Sequence, residues 1–231
     1  MADIFMEAVS EAANSQLAGK SHIKLLEAGC GSATHIRLKP PAHAVGIDIS
    51  TEQLARNSVV HEKIVGDIQR YPLPKNEFDV AICWMVLEHL SRPQDALLNL
   101  FASVKPQGLV ILGFPNLLSF KGVVTKITPF WFHVVFYRFM KYTSRPFPAY
   151  MRVAILPKNV RRLAEDHGFS VVFCELVEGG VGKKLKARFG LIDRLFSAVD
   201  SVTQFVSRGK ADSLFLDNCA MVLRKDAGGN A

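Results

Sequence analysis

The chain has 231 residues, of which 49% are hydrophobic, and a net charge of +7. This length is enough for one sizeable domain and short for two independent cores. The apolar runs fall well short of the roughly 20 residues that a spanning helix needs, and Asp3 and Glu7 stand where a leader would be basic, so we expect neither export nor a membrane span. The four cysteines form no CxxC pair, which argues against a zinc site or a disulfide framework and favours reduced thiols in the cytoplasm.

The positive charge is concentrated in one segment. No Asp or Glu occurs between Asp95 and Glu165, and ten of the 28 basic residues lie in that stretch. The rest of the chain is mildly acidic. The sequence therefore predicts a positively charged surface on one part of the molecule only.

Helical and strand patterns alternate in the first half of the chain. Apolar residues at helical spacing predict a helix over Ile4–Leu17, which Gly19 ends. Short apolar runs then predict five strands, with a polar helix after the second and an amphipathic helix after the fourth. This alternation is typical of βαβ units. The five predicted strands are 23–28, 44–49, 63–66, 78–84 and 109–114, and the amphipathic helix is 93–104.

The pattern changes after Pro115. A basic, aromatic-rich stretch follows that is unusually long for a connection between strands, and we interpret it as an inserted cap over about 117–150. A second helical, basic insertion is predicted over about 179–217, and we assign the whole chain, 1–231, to one domain. The remaining predicted elements are a helix at Pro157–His167, a sixth strand at Val171–Val177 and a seventh strand at Cys219–Arg224.

The first predicted strand ends in a glycine-containing turn, LLEAGCGSA, where Gly29 and Gly31 let the backbone approach a ligand closely. Asp48 lies seventeen residues after Gly31 at the end of the second strand, where a carboxylate can accept two hydrogen bonds from a ribose diol. Thr34 stands where a dinucleotide fingerprint has its last glycine. Glu27 would repel a pyrophosphate, whereas S-adenosylmethionine (SAM) presents an amino group and a sulfonium.

Further motifs follow in a fixed order. Asp67 closes the third strand, where an adenine amino group can be bound, and FDVAICW, VLEHL, KPQG and FPN come after it. In these motifs the chain resembles the class I SAM-dependent methyltransferases, and more closely the small-molecule group typified by ubiquinone and menaquinone biosynthesis enzymes. The resemblance covers about residues 25–116. Ala33 departs from it, because the glycine-rich motif of that group usually has a third glycine there.

The resemblance implies an α/β, Rossmann-like fold: a seven-stranded sheet, mostly parallel with an antiparallel last strand, helices on both faces, a helical aromatic cap after strand 5 and a helical insertion before strand 7. It also implies SAM as cofactor, S-adenosylhomocysteine as product and no metal. The alternative for the acidic positions is that they are solvated strand ends. The implied cofactor residues are Glu27, Ala28, Gly29, Cys30 and Gly31 for the methionine end, Asp48 and Ile49 for the ribose, Asp67 and Ile68 for the adenine, and Cys83, Trp84 and Met85 beside the methyl donor.

A catalytic base is optional in such a reaction, because the sulfonium already activates the methyl group and alignment does most of the work. The catalytic candidates are His89, His133 and Tyr137. The imidazole of His89 or His133 can take a proton from a hydroxyl or carboxylic acid. For His89, a packing or capping role at a helix start is the favoured alternative.

Two hypotheses apply to the aromatic run FWFHVVFYRFMKY in the cap. In the first, this helix roofs an apolar substrate pocket; an ordinary amphipathic lid is its alternative. In the second, the cap rests on an anionic membrane surface. We interpret the second insertion as packing against the domain or against another subunit in a homodimer, and membrane contact is the alternative. The substrate-binding candidates are Trp131, His133, Tyr137, Arg138 and Arg152.

The leading functional prediction is O- or N-methylation of a small, apolar acceptor that is anionic or membrane-associated. A nucleic-acid methyltransferase is the first alternative, since basic and aromatic residues together can bind a phosphate backbone and stack bases. No RNA-binding module or Asn/Asp-Pro-Pro-Tyr motif supports it. A non-catalytic scaffold subunit is the second alternative, which the intact set of predicted cofactor residues disfavours.

Overall fold

A computed structural model describes residues 2–33, 36–139, 148–178, 201 and 216–228. Seven strands in these ranges form one sheet. They are β1 (Ile23–Ala28), β2 (Ala42–Asp48), β3 (Glu62–Val65), β4 (Phe78–Trp84), β5 (Val104–Pro115), β6 (Phe169–Val177) and β7 (Asn218–Lys225). Their order across the sheet is β3-β2-β1-β4-β5-β7-β6.

The five strands from β3 to β5 in this order are parallel to their neighbours. Strand β7 is antiparallel to both β5 and β6. The prediction of a mostly parallel sheet with an antiparallel last strand is therefore confirmed. The chain order reverses between β1 and β4, and ligands of open α/β sheets bind outside the carboxyl ends of the strands at such a reversal.

Six helices accompany the sheet in the described ranges. Two short 3₁₀ turns, Leu87–His89 and Val153–Ile155, complete the secondary structure there. No helix in these ranges is long and apolar enough to cross a membrane. The helices are α1 (Ala2–Gln16), α2 (Thr51–Arg56), α3 (Pro93–Ser103), α4 (Phe120–Ile127), α5 (Phe130–Phe139) and α6 (Pro157–Asp166).

Strand β4 shows why the sheet is covered on both faces. Its residues from Phe78 to Cys83 are all buried, and successive side chains of a strand point to opposite faces. Ala81 and Cys83 belong to the core cluster that includes buried residues of α3 and α6. Val80 and Ile82 belong to the cluster that includes buried residues of α1 and α2. The predicted helices on both faces are therefore present.

The predicted boundaries agree with the structure to within a few residues, except at β5. This strand begins at Val104 and not at Leu109, because Val104 pairs with Phe78 before the register shifts at the next residues of β4. The KPQG segment lies inside the strand, and Gln107 adopts φ +65°. The predicted cap contains α4 and α5. The second predicted insertion lies outside the described residues apart from 201, 216 and 217, and the single domain stays a prediction.

A buried carboxylate ties the amino-terminal ends of the central strands together. Asp79 accepts hydrogen bonds from Lys20 Nζ at 2.7 Å, from the Lys24 backbone N–H at 2.9 Å and from Lys105 Nζ at 3.0 Å. Burial opposes its ionisation, but these three donors outweigh the burial and lower the pKa of Asp79 to about 2. The ionised carboxylate therefore stabilises the junction of β1, β4 and β5.

We expect Asp79→Asn to lower the free energy of unfolding at pH 7 by about 2 kcal/mol, measured by urea denaturation. Because the folded-state pKa is depressed, the stabilisation is present above about pH 4 and is lost as the pH falls through the folded value, so the two proteins converge in acid. Glu77→Gln is the control, since its ion pair with Lys24 Nζ lies at the surface and contributes little. An equal loss in both variants at pH 7 would contradict the role of Asp79.

Candidate functional site

The turn after β1 lies in close contact with the segment after β4. Gly29 has φ +68°, and its N–H donates to the Ile47 carbonyl oxygen at 2.7 Å. A Cβ atom at Gly29 would collide with Cγ2 of Val86. Both the left-handed backbone and the close approach therefore require glycine at this position.

Asp48 holds the same turn from the end of β2. Its Oδ2 accepts from the Gly31 N–H at 2.9 Å, and its Oδ1 accepts from the Ser50 N–H at 2.8 Å. Ser50 Oγ in turn caps α2 by accepting from the Gln53 N–H at 3.2 Å. One carboxylate therefore joins the turn after β1 to the start of α2. Each of its oxygens can accept a further hydrogen bond, as a ribose diol would require.

The segment after β3 is ordered by side chains that the sequence analysis did not select. Asp67 Oδ1 accepts from both the backbone N–H and Nε2 of Gln69, each at 2.9 Å. Gln69 Oε1 accepts from the Arg92 N–H at 2.7 Å, which ties this segment to the start of α3. Asn99 Nδ2 donates to the Ile68 carbonyl oxygen at 2.9 Å. The Ile68 side chain is buried in the core, so its backbone is the part available to a ligand.

The end of β4 combines a buried thiol with a strained backbone. Burial, and then the charge of Glu88, raises the pKa of Cys83, so this thiol stays neutral. The Trp84 ring lies against Gly113, where a Cβ atom would come within 2.5 Å of the ring. Met85 adopts φ +54° and donates its N–H to the Gly113 carbonyl oxygen at 2.7 Å. Such strain in a non-glycine residue is frequent at functional sites.

Negative charge surrounds the turn after β1. Glu27 is 2% exposed and pairs in register with Gly46 of β2 and Ile82 of β4. Burial, and then the charges of Asp48 and Glu27, raises the pKa of Cys30 to about 12. The carboxyl ends of β1 and β2 therefore carry an anionic field, which favours a cationic ligand.

The two candidate histidines contact groups of the cap. His89 Nδ1 lies 2.7 Å from the Pro148 carbonyl oxygen, at the return of the cap. His133 Nε2 lies 3.1 Å from Thr128 Oγ1, a contact within the cap between α4 and α5. His89 belongs to the 3₁₀ turn that follows β4, whereas His133 lies within the cap.

The substrate-binding candidates lie on the cap. Trp131 and Arg138 are exposed on α5, and the Tyr137 side chain lies outside the described part. The Arg152 guanidinium lies 5.4 Å from the centre of the Tyr150 ring. Among the described side chains, no group of three or more His, Cys, Asp or Glu could hold a metal ion. The catalytic and substrate-binding assignments stay predictions.

Glu88 is a buried carboxylate that the sequence analysis quoted within VLEHL but did not assign to the site. Its side chain is almost fully buried, and its Oε2 has no hydrogen-bond partner in the described part of the chain. Burial raises the pKa of Glu88, although the charges of His89 and Lys121 oppose the rise. Its carbonyl oxygen accepts from the Tyr150 N–H at 2.8 Å, which connects the return of the cap to the end of β4. The motif VLEHL by itself does not indicate that the Glu88 side chain is buried.

Comparison with known proteins agrees with this geometry. Residues 26–112 match the family model of the methyltransferase domain. The chain is 34% identical over 101 residues to the mitochondrial ubiquinone biosynthesis O-methyltransferase of Schizosaccharomyces pombe, over 38% of this chain and 36% of that protein. It is 28% identical over 105 residues to the ubiquinone biosynthesis O-methyltransferase of Rickettsia bellii, over 42% of this chain and 43% of that protein.

The chain resembles the class I SAM-dependent methyltransferases. The predicted resemblance is confirmed to this extent: residues 26–112 match the model of a methyltransferase domain. A third relative is the tRNA (carboxymethyluridine(34)-5-O)-methyltransferase of Arabidopsis thaliana, 35% identical over 92 residues, which cover 38% of this chain and 23% of that protein. The chain thus spans less than half the length of these curated relatives.

Solved structures share the fold. A SAM-dependent methyltransferase from Archaeoglobus fulgidus aligns with a TM-score of 0.56 at 15% identity, over 97% of this chain and 95% of that one. The [4+2]-cyclase SpnF aligns with a TM-score of 0.59 at 19% identity, over 98% of this chain and 81% of that one. Because one of these structures is named as a cyclase, the fold by itself does not fix the reaction.

A double-mutant cycle tests the contact between the two loops of the site. Gly29→Ala should lower the free energy of unfolding by about 3 kcal/mol, because the new methyl group collides with Val86 in addition to straining the left-handed backbone. Val86→Ala in the same chain should recover part of this loss, with a coupling of more than about 1 kcal/mol in urea denaturation.

Gly19→Ala is the matched control, because Gly19 has φ +84° with open space around its Cβ position. It should cost only about 1 kcal/mol of backbone strain, and Val86→Ala should not change that cost. Additive effects of Gly29→Ala and Val86→Ala would rule out the direct contact.

A second test concerns the buried carboxylate. Because the folded-state pKa of Glu88 is raised, its contribution to stability is full below the unfolded-state value of about 4.3 and is lost as the pH rises through the folded value. Glu88→Gln removes this ionisation, so we expect a higher melting temperature than the wild type at pH 8 and little difference at pH 4. A variant that melts lower than the wild type at pH 8 would show that the ionised carboxylate is stabilised by its surroundings.

Proposed function

We propose that the chain transfers the methyl group of SAM to a hydroxyl group of a small, apolar acceptor. The observation that carries the proposal is the Asp48 carboxylate, which two backbone N–H groups hold at the carboxyl end of β2, next to β1 and the reversal point of the sheet. Residues 26–112 of the same chain match a methyltransferase domain. A fixed carboxylate at this position can accept the two hydroxyl groups of a ribose.

The charges around the site suit this cofactor. Glu27 and Asp48 create an anionic field at the ends of β1 and β2, and SAM carries an ammonium and a sulfonium. A pyrophosphate would be repelled by the same field. The carboxylates therefore favour SAM over a dinucleotide.

Individual residues have separate tasks in this proposal. Glu27 and the backbone at Gly29 would hold the methionine end, Asp48 the ribose, Asp67 the adenine, and Met85 would lie beside the methyl group. SAM, when bound, supplies a methyl group that is already activated for transfer. The chain then has to orient the acceptor and exclude water from it.

Oxygen is the proposed acceptor atom because the three relatives described above are named as O-methyltransferases. An apolar acceptor is proposed because aromatic residues dominate α5, in the cap whose return at Tyr150 is hydrogen-bonded to the segment after β4. His89, next to the carboxyl end of β4, can take the proton that the acceptor hydroxyl loses. The basic cap further favours an acceptor with negative charge elsewhere in the molecule.

Methylation of RNA is the second candidate. The relative from Arabidopsis thaliana is named as a tRNA methyltransferase, and the cap combines basic with aromatic residues. RNA binding that weakens steeply with salt, together with methyl transfer to RNA, would favour this candidate over a small acceptor.

Asp48→Asn tests the cofactor assignment. The Asn side chain has one acceptor oxygen instead of two, so its NH₂ group would face either a backbone N–H or a ribose hydroxyl. We therefore expect SAM and S-adenosylhomocysteine to bind at least tenfold more weakly in calorimetric titration. Glu52→Gln is the matched control, because this nearby carboxylate is exposed on α2 and pairs with Arg56. Unchanged affinity in Asp48→Asn, with the variant folded, would refute the proposed ribose contact.

A further inference from the structure

The two helices of the cap expose several large apolar side chains to solvent. Ile127 is 72% exposed and lies one helical turn after exposed Val123 on α4. Trp131, 65% exposed, begins a stripe at i, i+4 and i+8 on α5 that continues through Val135 and Phe139. These five residues form what we call the cap surface. Large exposed apolar side chains grouped on two consecutive helices mark contact with a protein or a membrane.

Positive charge lies next to the cap surface. Lys126 and Arg138 are exposed on the same two helices, and Arg152 is exposed where the chain returns from the cap. No acidic residue occurs anywhere between Asp95 and Glu165, so nothing within this segment neutralises them. The cap surface is therefore apolar and cationic together.

The cap surface is attached to the candidate site at both ends of the cap. Asn116, which follows β5, accepts from the Leu118 N–H through Oδ1 at 3.1 Å and so shapes the start of the cap. At the other end, the Tyr150 N–H donates to the Glu88 carbonyl oxygen beside β4. Both ends of the cap are thus attached at the carboxyl ends of β4 and β5.

We propose that the cap surface docks on the face of an anionic lipid bilayer. An interfacial helix pair buries Trp, Phe and Ile side chains at the headgroup boundary, while Lys and Arg attract the anionic lipids. Each basic residue near such a surface strengthens binding by roughly fivefold. A second copy of the chain is a poorer occupant, because a symmetric contact would bring two cationic, acid-free surfaces together.

Docking also bears on how the acceptor reaches the site, an inference that rests on the proposed methyl transfer. An acceptor dissolved in the bilayer would reach the carboxyl ends of β4 and β5 without passing through water. The apolar surface and the proposed apolar acceptor then have a common explanation.

Vesicle flotation of the full chain tests the docking. We expect the wild type to float with vesicles of phosphatidylcholine and phosphatidylglycerol at low salt, and to float poorly with phosphatidylcholine alone. Ile127→Ser/Phe139→Ser should weaken this binding at least tenfold. Lys126→Gln/Arg138→Gln should weaken it by roughly thirtyfold and reduce its dependence on salt.

Matched controls come from exposed residues elsewhere. Val59 and Leu98 are exposed apolar residues outside the cap, and Arg161 and Arg162 are exposed basic residues on α6. The double variants Val59→Ser/Leu98→Ser and Arg161→Gln/Arg162→Gln should float like the wild type. Melting temperature and SAM affinity, measured on every sample, show that the cap variants remain folded.

Three results would overturn the docking. The first is a wild type that does not float with anionic vesicles at low salt, and the second is equal flotation of the cap variants and the wild type. The third is a dimer that Ile127→Ser/Phe139→Ser dissociates, with no vesicle binding, which would make the cap surface a contact between copies. SAM affinity is measured separately, so a failure of docking leaves the proposed methyl transfer standing, and the reverse also holds.

Discussion

The geometry of the candidate site depends on one carboxylate that accepts two backbone N–H groups from different turns. Asp48 fixes the Gly31 turn and the Ser50 turn relative to each other. Hydrogen bonds to a carboxylate are stronger than those between neutral groups, so this contact holds both turns in place. The close contact of Gly29 with Val86 then sets the distance between this pair of turns and the end of β4. Ligand affinity at such a site benefits because little has to be reorganised on binding.

Opposite ends of the same strands use charge for different purposes. At the amino ends, Asp79 is surrounded by cations, and its hydrogen bonds are fully used in holding β1, β4 and β5 together. At the carboxyl ends, burial and then the charges of Asp48 and Glu27 raise the pKa of Cys30. The first arrangement stabilises the fold. The second leaves an anionic field that a cationic ligand can neutralise.

Much of the fold could be predicted from the sequence because the central strands are buried on both faces. The bounds of β1 and β4 were predicted to the residue, since both segments are mainly apolar and a glycine follows β1. The start of β5 was missed because Lys105–Gly108 has turn-forming residues, and only the pairing of Val104 with Phe78 shows that the strand begins before them. The site was predicted as a set of strand ends. Gln69 and Asn99 were not predicted, because their partners are backbone groups of distant segments.

In the cap, the composition of the sequence predicts where the positive charge lies, but not which side chains lie beside it at the surface. The sequence placed ten cations in an acid-free segment, and the structure separates that segment into a pair of helices with exposed apolar stripes. The strand ends and the cap therefore carry opposite charges. Glu88 lies between them: its side chain is buried under the influence of His89 and Lys121, and its carbonyl oxygen holds the return of the cap. One backbone hydrogen bond therefore joins the return of the cap to the segment after β4, beside the strand ends where the methyl group is proposed to react.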